Sequence, residues 1–122
     1  ERTNEQIIGC DIGARYIILH DGKKAIRIEK PQQITQPQLQ LQPGTKIIIE
    51  QTGAYGIRWA EIFTNLGYTV YIADGRDFKN YRLAHSRKKD DTIDAYYLRK
   101  YYIDKKHKCR EYNKQQTNIR DS

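Results

Sequence analysis

Cysteine is nearly missing: Cys10 lies inside an apolar run and Cys109 in a charged tail. That number and spacing exclude a zinc site built on cysteine pairs and a disulfide framework. Both are expected as free thiols in a reducing compartment, with a cytoplasmic (intracellular) protein as the default. No apolar run approaches the roughly 18 residues that span a bilayer, and the opening ERTNEQ lacks the pattern of a signal peptide. No membrane partner is expected. Methionine is absent even at position 1, so the numbering is expected to begin after a removed or unlisted start. Acids are outnumbered, 15 against 22 Lys and Arg, for a formal charge of +7. Such a balance attracts polyanions, although a soluble cationic protein without a polyanionic partner has it too. Proline occurs three times, all within PQQITQPQLQLQP at 31 to 43, where six glutamines also sit. That stretch reads as a connector with a short helical piece rather than as chemistry.

What is present is enough for one core. The 122 residues fit a single domain, and the 38% hydrophobic content is concentrated in runs such as IIGCDI, KIIIE and TVYIA. IIGCDI (7–12) and YIILH (16–20) read as antiparallel strands around a hairpin-sized step. Asp21-Gly22 turns the chain into KAIRIEK, an alternating strand for a sheet edge. KIIIE (46–50) is apolar enough to be covered on both faces. The period then becomes helical through YGIRWAEIFTNLG, with Trp59, Ile62, Phe63 and Leu66 on one face and Gly67 at the C-cap. TVYIAD follows as a fifth strand, then helices over about 76–84 and 91–103 and a charged tail from 104. Three meandering strands followed by crossovers give the RNase H-like order: α/β, a mixed five-stranded sheet with flanking helices. The expected domain is 1–103, with 104–122 a basic polar tail or the start of a linker.

Asp11, Glu50 and Asp74 fall at the ends of three of these strands, where open α/β sheets collect their sites. Asp91 and Asp94, three apart, share one helix face, and Leu98, Tyr101 and Tyr102 continue that stripe. Converging carboxylates repel one another unless protonated, paired or bound to cations. An all-oxygen set suits two Mg²⁺ or Mn²⁺ ions, which serve phosphoryl transfer when roughly 4 Å apart. Each acid also has an ordinary reading. Asp11 can be a turn acid, Glu50 a strand-end charge, Asp91 an N-cap and Asp94 a first-turn acid favoured by the helix dipole.

The runs IIGCDIG, IIIEQTGAYG and KKDDTIDAYYL resemble the motifs of the DEDD transposases, insertion-sequence recombinases whose N-terminal domain looks like the Holliday-junction resolvase RuvC. The resemblance covers residues 7 to about 103. It implies that Asp11, Glu50, Asp91 and Asp94 are the catalytic and metal-binding residues, with Lys89 and Ala95 as motif neighbours. Where the family has Thr, this chain has Asp90; where it has Arg, Thr92 stands; and Asp74-Gly75 replaces an Asn-Pro step. Asp90 is then the extra acid, expected to point away from the metal ligands and to serve only as a helix cap, and Asp74 is either a fifth acid near the metals or a turn residue. Family members continue into a domain bearing a nucleophilic serine, which residues 104–122 cannot hold. An excised domain or a stand-alone protein is expected.

Arg87, Lys88 and Lys89, ahead of the acids, suit phosphate contacts, and Arg99 and Lys100, beside Tyr101 and Tyr102, suit backbone tracking and base stacking. For Arg99 and Lys100 the alternative is a solvated helix end. Tyr55, in the loop after Glu50, is a wedge against an unpaired base or a structural tyrosine. The first functional expectation is a metal-dependent DNA endonuclease or recombinase domain acting on branched or junction DNA. Structured RNA is a second possible nucleic acid, and a homodimer would supply two symmetric nicks. The alternative is a nucleic-acid-binding module of the same fold without turnover. An ATPase of the actin and sugar-kinase type, suggested by DIGARYIILHDG, lacks its second lobe and Gly-rich adenosine loop.

Overall fold

The computed structural model describes residues 6–29, 41–50 and 54–113. The connector expected to hold a short helical piece lies mostly outside the described residues, which resume at Leu41. The chain runs β1 (Ile7–Ile12), β2 (Tyr16–His20), β3 (Ala25–Glu29), β4 (Lys46–Glu50), α1 (Ala54–Asn65), β5 (Thr69–Ala73), α2 (Gly75–His85), α3 (Asp91–Asp104), a short 3-10 turn and β6 (Cys109–Glu111). The sheet order is β3-β2-β1-β4-β5-β6. The β1–β4 and β4–β5 pairs are parallel and the other three antiparallel. This is the expected RNase H-like arrangement with one strand more than the five read from sequence. β6 lies in the segment read as a charged tail. Its residues Cys109, Arg110 and Glu111 add to the edge of β5, and Tyr112 N–H donates to the Val70 carbonyl. Three residues, two of them charged, carry no strand periodicity. Backbone pairing to a waiting edge forms this element, not side-chain pattern.

Period-two alternation assigns each strand residue a face. Ile8 and Cys10 of β1, Ile17 and Leu19 of β2, Ile47 and Ile49 of β4, and Val70 and Ile72 of β5 pack against Trp59, Ala60 and Phe63 of α1. On the opposite face Ile48 and Ala73 meet Phe78 and Tyr81 of α2 and Leu98, Tyr101 and Tyr102 of α3. β4 is therefore buried on both sides, as its unbroken Ile-Ile-Ile run requires. By the same alternation Ile7, Gly9 and Asp11 of β1, and Ile48 and Glu50 of β4, face α3.

Helix α3 lies unusually close to β1. A Cβ on Gly9 would sit 1.9 Å from the Ala95 carbonyl oxygen and 2.7 Å from the Arg99 amide nitrogen. Glycine in the strand and alanine in the helix, itself fully buried, let the two backbones touch. Farther along, the Arg99 Nε–H donates to the Ile7 carbonyl at 2.9 Å. Tyr101 is tied by its hydroxyl to Asp77 at 2.6 Å, joining α3 to α2. No described helix is long and apolar enough to cross a membrane.

Candidate metal centre

The parallel strands β1, β4 and β5 end on one side of the sheet, and the first turn of α3 arrives there. Asp11 stands one residue before the end of β1, paired with Ile18 of β2. Glu50 closes β4. The chain enters α3 through Asp90, whose extended backbone and side chain make it the N-cap. Its carboxylate accepts from the Thr92 amide at 2.7 Å and the Ile93 amide at 3.4 Å. With Asp90 capping the helix, Asp91 and Asp94 are left to project toward the strands. Asp74 has the corresponding duty at α2, accepting from the Asp77 amide at 2.9 Å, so it serves the turn into that helix.

One carboxylate oxygen from each of Asp11, Asp91 and Asp94 lies within 4.8 Å of the others. Oxygens bound to one Mg²⁺ ion stand about 3 to 4.2 Å apart, so the three acids lie near, and slightly wider than, ligating span. Glu50 is not one of these three. It stands at the end of the neighbouring strand and couples to Asp11 and Asp94 through its charge.

The electrostatics are those of a site short of positive charge. Burial, and then the charges of Asp91, Asp94 and Glu50, push the Asp11 carboxyl up to about 7 from 3.8. Burial likewise raises Glu50, aided by Asp94 and opposed by Lys89, Arg82 and Lys79. Asp94 is raised by burial against the opposing pull of Arg82 and Lys89. Asp94 Oδ1 is buried and accepts no hydrogen bond, although Arg82 Nε lies 2.9 Å away as an ion pair. The pair is thus a charge contact without an aligned N–H. Three clustered carboxylates with one arginine beside them fit a hard divalent cation, and the all-oxygen donor set fits Mg²⁺ or Mn²⁺ rather than zinc.

Two residues at this site escaped the sequence reading. Tyr16, at the start of β2, donates its hydroxyl to Asp91 Oδ2 at 2.8 Å, while the Arg27 guanidinium covers its ring at 3.9 Å. Arg82 is 5% exposed, and among the described residues it is the one buried Lys, Arg, Asp or Glu. Its signal was available: Phe78, Tyr81 and Arg82 follow the i, i+3, i+4 spacing of the inward stripe of α2. An arginine on such a stripe needs an acid partner inside.

The expected phosphate contacts divide into two groups. Arg87, Lys88 and Lys89 are exposed in the extended segment that leads into α3, beside the acids. Arg99 lies about 12 Å farther along α3 by helical rise, bonded to Ile7 and close against Gly22. Lys100 follows it, half-buried. Tyr55, expected in a loop, falls in the first turn of α1 (Ala54–Asn65), and its side chain lies outside the described residues.

The family model for DEDD transposases of the IS110 type, described as a transposase, matches residues 22–121, 100 of the 122 residues. The match takes in Glu50, Asp91 and Asp94 and begins after Asp11, so the place of Asp11 in the centre rests on its geometry. No curated protein matches the chain.

Proposed function

The chain belongs to the DEDD transposase family, and from that premise we propose that it is a metal-dependent DNA endonuclease domain cleaving phosphodiesters with Asp11, Glu50, Asp91 and Asp94. Transposase-type nuclease chemistry is the family's; the ligand set, the ions and the substrate are our reading. The observation that carries it is the approach of Asp11, Asp91 and Asp94 oxygens to within 4.8 Å, on the sheet face that also presents Glu50. Two Mg²⁺ or Mn²⁺ ions held by these acids would activate a water and stabilise the leaving oxygen.

The chain's own groups prepare that chemistry. Gly9 and Ala95 seat α3 on β1 and so set the spacing between Asp11 and Asp91/Asp94. Asp90 fixes the first turn of α3, and Tyr16 orients Asp91. Lys88 and Lys89, with Arg87, hold the flanking phosphates as point charges at the mouth of the site. Because Asp11 keeps its proton up to about pH 7 without a cation, the site charges fully only when a cation arrives or the solution is alkaline.

Junction DNA is the substrate we favour, with structured RNA as the competing ligand and a second copy of the chain supplying the opposite nick. Binding without turnover is the second reading, favoured by the position of Glu50 outside the three-oxygen cluster. Cleavage of four-way junction, flap and duplex DNA in Mg²⁺ or Mn²⁺ decides between them. Cutting that Asp11→Asn abolishes is the expected result. Binding of all three DNAs with no cutting in either metal would leave the binding module.

A further inference from the structure

Arg82 has contacts on two sides that belong to two different tasks. Nε lies 2.9 Å from Asp94 Oδ1 in the acid centre. Nη1 donates to the Lys88 carbonyl at 3.1 Å and, more weakly, to the Ser86 carbonyl at 3.4 Å. Those carbonyls belong to the segment between α2 and α3, whose exposed Arg87, Lys88 and Lys89 stand beside the acids. The segment has no secondary structure of its own. Its order comes from a few anchors: the Ser86 amide bonded to the Arg82 carbonyl, the Lys88 amide to the Ser86 hydroxyl at 3.3 Å, and the guanidinium itself. A buried arginine is costly unless several partners share its charge. Here the partners are one carboxylate and main-chain oxygens of the basic segment.

We propose that Arg82 is a positioning residue that couples the acid centre to the nucleic-acid grip, holding Asp94 with Nε and the backbone of the Lys88–Lys89 segment with Nη1. The inference rests on the metal-centre reading above. Its physical content is competition and tethering. The guanidinium occupies the charge environment of the same Asp94 carboxylate that a cation would use. Its planar fork reaches the two groups at once, which a lysine ammonium cannot do.

Removing the arginine should therefore move two affinities in opposite directions, whereas a residue that merely supports the fold would weaken both together. The experiment compares wild type, Arg82→Gln and Arg82→Lys in the 122-residue chain. Mn²⁺ affinity is measured by calorimetry at pH 8, and affinity for a fluorescein-labelled four-way DNA junction by anisotropy in EDTA. Arg82→Gln should bind Mn²⁺ tighter and the junction weaker, each by about fivefold or more. Arg82→Lys keeps the charge, so its Mn²⁺ affinity should stay within about twofold of wild type while its junction binding still falls. A parallel fall of both affinities in Arg82→Gln, or wild-type junction binding by Arg82→Lys, overturns the coupling. If Arg82→Gln does not fold, Arg82→Lys alone decides by the same criteria. Failure of wild type to bind Mn²⁺ is a different result: it removes the metal centre itself, whatever the variants do. Failure of wild type to bind the junction in EDTA overturns the tether.

Discussion

Replacing Asp11 with asparagine should stabilise the protein in the absence of metal, although it removes a proposed catalytic group. In the folded chain burial and three neighbouring acids push Asp11 up from 3.8 to about 7. The folded state therefore holds the Asp11 proton more tightly than the unfolded state does. Its ionisation costs no stability below about pH 4, costs progressively more between 4 and 7, and costs its full amount above 7. At about 1.4 kcal/mol per pH unit, the interval bounds the cost near 4 kcal/mol. Asp11 is still partly open to water, and screening reduces the expected cost to about 1–2 kcal/mol. For a chain of this size 1 kcal/mol moves the melting temperature by roughly 3–5 °C. Asp11→Asn should then melt about 3–10 °C above wild type at pH 8 in EDTA, and the gap should close as the pH approaches 4. Saturating Mn²⁺ should reverse the order, because a ligand at about 100 times its Kd adds about 2.7 kcal/mol to the form that binds it. Melting curves followed by circular dichroism across this pH range make the test. A variant that melts at or below wild type at pH 8 in EDTA would refute the account of clustered, destabilising acids.

Two other substitutions probe how the fold builds the centre. Gly9→Ala places a methyl group 1.9 Å from the Ala95 carbonyl, which main-chain atoms cannot yield to cheaply; a loss of about 2–3 kcal/mol in urea unfolding is expected, with weaker Mn²⁺ binding because α3 is displaced from Asp11. Asp90→Ala removes the cap over the Thr92 and Ile93 amides and should lower stability by about 1 kcal/mol. It should leave the wild-type stoichiometry of Mn²⁺ binding, measured by calorimetry, since Asp90 is not one of the clustered ligands.

Most of the fold is legible in the amino-acid pattern, because its strands and helices are separated by changes of period that local chemistry enforces. KIIIE has the pattern of a doubly covered strand, and the Trp59-Phe63 stripe that of one face of a helix. The faces of Asp11 and Glu50 were also readable: once Ile8 and Cys10, or Ile47 and Ile49, take the α1 side, alternation sends both acids to the α3 side. β6 was not readable, since Cys109–Glu111 forms by pairing to the exposed edge of β5 and leaves no apolar signature. The division of labour among Asp90, Asp91 and Asp94 was readable in outline, with Asp90 set apart as a helix cap. Spacing places the last two on one face and leaves Asp90 for the cap, which the extended backbone of residue 90 makes. Gly9 reads locally as a weak point in a strand, and its use appears only when Ala95 is brought over it. Arg82 and Tyr16 reach the acids from other elements, and no motif spacing connects them to Asp94 or Asp91.

The central claim is that acids from β1, β4 and α3 form one cation centre. Anomalous diffraction from a crystal soaked in Mn²⁺ tests it most directly. The expected result is Mn²⁺ density bridging Asp11, Asp91 and Asp94, with Glu50 completing a second ion's ligands and Asp74 and Asp90 left on their helix caps. Density absent from these carboxylates at saturating Mn²⁺ and pH 8, where Asp11 is ionised, would contradict the claim.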